Sequence, residues 1–164
     1  MRIRGVLMGN FLFIFTFIFF SVVAFAEGPP KDMAGWEIGS PYNKHYKVSE
    51  LDNFRATVVD IIEVIPMEGM SPATAITVKE SDEDAPIVVH ICPTWFSGKE
   101  SLGLKKGDRL KIRGVWAEIE GRDVFLAAKI KKGDYYEFKV RLTRDGTPFW
   151  TMSEEQLAKE RESD

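Results

Sequence analysis

His90, Cys92, Met67 and Met70 are the side chains of this sequence whose types best suit ligand chemistry. Imidazole, thiolate and thioether make a soft donor set that suits Cu(I). His90 and Cys92 stand two apart, so a strand carries both on one face and the remaining donors must come from elsewhere. A loop bearing Met67 and Met70 would supply them if it approached that strand. Core packing accounts for the same residues equally well, since free cysteine is among the most buried residue types. Cys92 is the only cysteine, so no intrachain disulfide forms and the fold holds by packing alone. A second set, His90, Trp95, Phe96 and Trp150, is expected to contact a ligand if the chain is a binding module. Trp116 and Phe149 are of the same kind, and aromatics at strand ends also plug small barrels.

Enzymatic chemistry finds no support. Beyond the N-terminal apolar stretch the only histidines are His45 and His90, and no Gly-x-Ser-x-Gly, His-Glu-x-x-His or phosphate-cradling glycine loop occurs. Asp82, Glu83 and Asp84 are expected at a solvated hairpin tip, where little burial is available to raise a carboxyl pKa. The expected protein is not an enzyme.

Location is written at the start of the chain. Arg2 and Arg4 precede an apolar run through Phe25, which closes on Ala24-Phe25-Ala26 ahead of Glu27-Gly28-Pro29-Pro30. That is the pattern of a cleaved signal peptide over 1–26, and the expected location is periplasmic or secreted. An uncleaved anchor is the rival reading, and membrane contact is expected only in that case. Without Arg2 and Arg4 the chain keeps 20 bases and 25 acids, a net charge of −5. The balance argues against a general nucleic-acid binder. The charge is uneven: residues 50–84 hold nine acids and two bases, whereas residues 99–144 hold thirteen bases and seven acids. Two solvated faces explain this, as does an electrostatic patch for an acidic partner.

The elements that must position these residues are strands. Residues 27–50 hold glycines, prolines and no apolar period, which reads as an extended or loosely docked leader with Trp36, Tyr42 and Tyr46 packing in part. From Phe54 an alternating run shifts phase toward Ile65, the signature of one long bulged strand. Residues 73–79 and 87–92 form a hairpin, and Pro93 opens an irregular or helical connection. Strands follow at 109–119, 124–131 and 135–143, separated by Gly-centred turns. Ser153-Glu154-Glu155-Gln156 then opens a short charged helix or frayed tail by a capping box. A long connection between the third and fourth strands is the order of an OB-fold, with an SH3-like barrel or small sandwich as alternatives. The expected class is all-β: a five-stranded Greek-key OB barrel over 51–150 with an extra C-terminal strand or turn, and a charged tail over 151–164. The usual ligand face of such a fold is the second and third strands. Here that hairpin is acidic and lacks an aromatic platform, so no nucleic acid is expected.

The chain also resembles a family of small exported single-domain OB-fold proteins. The matching residues run in order: Pro66, Gly69 and Met70; Val89, His90, Pro93, Trp95 and Phe96; Gly107, Asp108 and Gly114; then Gly146, Pro148 and Trp150. The family usually has Gly at the position of Cys92, so a function common to it does not depend on a thiolate there. The resemblance implies an exported single-domain OB-fold module. The expected partner is an envelope protein or small ligand. The alternative expectation is a periplasmic copper or redox/cytochrome accessory protein, with Cu(I) as its cofactor.

Overall fold

A computed structural model of the chain describes residues 33–162. The apolar stretch expected as a signal peptide, residues 27–32 and the last two residues lie outside the described residues. The six strands are β1 (Leu51–Val64), β2 (Ala73–Lys79), β3 (Ile87–Pro93), β4 (Arg109–Ile119), β5 (Arg122–Lys132) and β6 (Tyr136–Lys139). Helix α1 (Pro41–Lys44) precedes them and α2 (Glu154–Glu162) follows.

The alternation in β1 sends Ala56 and Val58 inward and Arg55 outward. Pairing with β2 then jumps from Val58↔Val78 to Asp60↔Thr77, so Val59 is bulged. The bulge bends the strand, and its two halves can then serve different neighbours. The first half pairs with β4 and the second with β2. The antiparallel order β3-β2-β1-β4-β5 closes on itself through a short parallel contact, Val89↔Phe125 and His90↔Leu126. This five-stranded ring is the OB barrel expected from the sequence. Its interior is filled by Val58, Ile76, Val89, Ile112, Phe125 and Ile130, all nearly or fully inaccessible. At Gly114 the β4 and β5 backbones come so close that a Cβ there would sit 2.0 Å from the Leu126 carbonyl oxygen. Only glycine fits that crossing, beside the register shift between Arg113 and Gly114.

The sixth strand is shorter than its apolar pattern suggests. After Lys139 the amides of Val140 and Arg141 both donate to the Ala128 carbonyl (2.8 and 3.1 Å), which ends the ladder. The chain then turns through Asp145-Gly146, with Gly146 at φ +78°, and Arg141 bridges back to Pro148. Residues 33–50 hold α1 and a closely packed aromatic cluster, and the three aromatics expected to pack, Trp36, Tyr42 and Tyr46, are all buried. Trp36 and Tyr42 are buried and meet edge-on at 4.8 Å. The capping box at α2 forms: the Ser153 amide donates to Gln156 Oε1 (2.9 Å) and the Gln156 amide to Ser153 Oγ (3.2 Å).

Candidate binding surface

The residues singled out in the sequence hold the chain's own N-terminal segment. The Met70 side chain packs against Gly35, where a Cβ would lie 2.3 Å from its Cγ. Trp36 donates its indole N–H to the Ser71 carbonyl, and Trp150 donates its own to the Trp36 carbonyl, each at 3.0 Å. His90 faces the Tyr42 hydroxyl, with Nδ1 3.3 Å from Oη. Residues 33–46 are thereby fastened to the β1–β2 connection, to β3 and to the segment after β6.

Each soft donor has a neighbour of its own within the domain. His90 is turned to Tyr42, Met70 to Gly35, and Cys92 donates its thiol to the Ser97 carbonyl (3.6 Å). Met67 is only partly buried at the rim of the core. Burial pushes the Cys92 thiol up to about 12, so it stays protonated near neutral pH. Burial also lowers His90 to about 4, helped by Arg122, which keeps the imidazole neutral. Among the described residues no three of His, Cys, Asp and Glu gather as a ligand group. Trp150 is 1 % exposed, while Trp95 and Phe96 are half-buried.

Arg141 is a buried cation that the sequence did not point to. It is 3 % exposed, lying between the rings of Tyr46 and Trp150 at 4.8 and 4.7 Å. Its guanidinium donates to Asn43 Oδ1 (2.8 Å) and to the Gly146 carbonyl (3.3 Å). Gly146 must be bare here, because a Cβ would lie 2.7 Å from the Tyr46 ring. No described carboxylate forms an ion pair with Arg141, and burial lowers its pKa. The two aromatic faces and two acceptors offset part of the desolvation of the cation.

The outward side of β1, β4, β5 and β6 carries the basic residues of the C-terminal half. Register places Arg55, Lys111 and Lys131 directly abreast on three strands. The next row runs Asn53, Arg113, Lys129 and Lys139. Arg109 extends the face. The one acid among these positions is Glu137, which is shared by Lys131 (2.6 Å), Lys129 (3.3 Å) and Lys139 (3.6 Å). Those lysines hold its carboxyl below the usual range against the opposing effect of burial. Like charges directly opposite destabilise a sheet, so folding alone gives no reason for these rows. The alternation Arg109, Lys111, Arg113 was a readable signal for one charged face.

A family model described as the MamS/MamX magnetosome protein family matches residues 50–136. The chain belongs to this family. No curated protein matches the chain. The span shared with other MamS/MamX proteins holds β1 to β5 and six of the seven basic positions on the face: Arg55, Arg109, Lys111, Arg113, Lys129 and Lys131. Lys139, Arg141 and the closing string Gly146, Pro148 and Trp150 lie beyond it. The part of the chain that fastens residues 33–46 is therefore divided, with Met70 and His90 inside the MamS/MamX match and Trp150 outside.

Proposed function

We propose that this MamS/MamX protein is an exported, non-enzymatic binding module. It docks an acidic protein partner on the cationic outer face of its barrel, in the magnetosome setting its family name records. The observation that carries the reading is the row Arg55, Lys111 and Lys131, three bases abreast on adjacent strands with one shared acid at its end. Such a row is unfavourable in the free protein and becomes favourable when an anionic surface covers it. Export rests on the leader with its Ala24-Phe25-Ala26 close, and on the resemblance to small exported OB-fold proteins. An acidic protein is favoured over nucleic acid because neither basic row holds an aromatic side chain on which bases would stack.

Binding of the chain from Glu27 onward to poly-L-glutamate tests this, comparing the wild type with the Lys111→Glu/Arg113→Glu variant. The wild type should bind with an affinity that falls as salt rises, and the variant should lose at least about tenfold. Equal binding by both proteins refutes the reading. So does tighter binding to a single-stranded oligonucleotide than to poly-L-glutamate.

A further inference from the structure

Where β6 leaves the sheet, a cleft of about 200 Å³ opens at the end of the second basic row. Lys129, Lys139, Arg141 and Arg144 line it, and the one acid at its wall is Glu160 of α2. Glu160 meets Arg144 as a two-pronged pair, Oε1 to Nη2 at 2.8 Å and Oε2 to Nη1 at 3.2 Å. Only Leu157 and Glu160, three residues apart on one face, are withdrawn from solvent among residues 153–160. Leu157 rests on the small cluster of Leu142, Phe149 and Met152. A nine-residue helix is too short to persist on propensity alone.

We propose that this cleft is an oxyanion-binding site, selective for a carboxylate or phosphate group, and that Glu160 is its built-in occupant. The incoming oxyanion displaces the Glu160 carboxylate, takes hydrogen bonds from Arg144 and Lys129, and lies against the buried Arg141 charge. Helix α2 is released as it binds. Guanidinium forks suit such groups because they present parallel N–H donors. The inference rests on the acidic-partner reading, since the cleft continues the same cationic face and would receive one acidic group of that partner.

Titration followed at the indole N–H of Trp150, whose ring lies 4.7 Å from the Arg141 guanidinium, tests it. The probes are inorganic phosphate and poly-L-glutamate, added to the wild type, Glu160→Gln and Lys129→Gln/Lys139→Gln. Removing the resident carboxylate should tighten binding up to about fivefold, the about 1 kcal/mol an exposed ion pair is worth. The double lysine variant should weaken it. A response to phosphate alone, or to poly-L-glutamate alone, supports the site and names the oxyanion. A Trp150 signal unmoved by both probes overturns the proposal, as does a Glu160→Gln affinity equal to the wild type. If poly-L-glutamate binding still depends on Lys111 and Arg113 in that case, the acidic-partner reading stands and only the cleft is lost. If instead the cleft responds while the Lys111→Glu/Arg113→Glu variant binds poly-L-glutamate normally, the cleft stands and the face reading falls.

Discussion

Lowering the pH should weaken this fold through His90 before its carboxylates begin to titrate. Burial against Tyr42 lowers the folded-state pKa of His90 to about 4, whereas an unfolded histidine titrates near 6.5. Between those values the unfolded chain takes up a proton that the folded chain refuses. Stability is therefore full above about 6.5 and is lost as pH falls toward 4. The loss approaches about 1.4 kcal/mol per pH unit, which gives about 2 kcal/mol between pH 7 and pH 5 and about 3 kcal/mol by pH 4. The carboxylates with lowered values, Glu137 and Asp145 among them, act in the same direction but below the usual carboxylate range. The window from pH 6.5 to 5 therefore isolates histidine. Urea denaturation of the wild type and His90→Gln at pH 7 and pH 5 measures the effect. His45 is common to both proteins, so their difference reports His90. The wild type should lose about 2 kcal/mol more than the variant over that interval. Parallel losses in the two proteins would refute the argument, as would NMR titration of His90 near 6.5.

Other consequences follow from packing and register. Gly114→Ala should destabilise by about 3 kcal/mol or prevent folding, because the new Cβ meets the Leu126 carbonyl oxygen at 2.0 Å; thermal denaturation would show it. Lys111→Glu should raise stability by about 0.5 kcal/mol, since Lys111 lies opposite both Arg55 and Lys131, and a fall in urea midpoint would contradict the repulsion on which the binding surface rests.

The barrel was legible in the sequence because strand alternation is a local property. Ala56/Val58 against Arg55, and Leu110/Ile112 against Arg109/Lys111/Arg113, mark two strands and their buried sides. Pro93 ends β3 and places the long connection that distinguishes an OB barrel. The N-terminal segment was harder to read because its order depends on distant partners. Trp36 has no periodic neighbours, and the indole that caps its carbonyl lies 114 residues away. Arg141 was misleading for a related reason. Tyr136, Phe138 and Val140 alternate, which would turn Arg141 outward on a continued strand. The ladder stops at Lys139, however, and the turn through Gly146 folds Arg141 back between Tyr46 and Trp150.

His90 and Trp150 show that residue type alone does not name a side chain's neighbours. Both are expected ligand contacts from the sequence, and in the structure both contact residues 33–46. The charge imbalance over residues 99–144 was visible as composition. Its arrangement into rows was not, because register between β1, β4 and β5 is set by the bulges and by Gly114 rather than by any one strand.

The measurement that bears most directly on the cationic face is a map of backbone amide shifts in the labelled chain from Glu27 as poly-L-glutamate is added. The account predicts that the shifts concentrate on the rows of Arg55, Lys111 and Lys131 and of Arg113, Lys129 and Lys139, and disappear at high salt. Shifts confined to the β2–β3 hairpin, or to the half-buried Trp95 and Phe96, would contradict it.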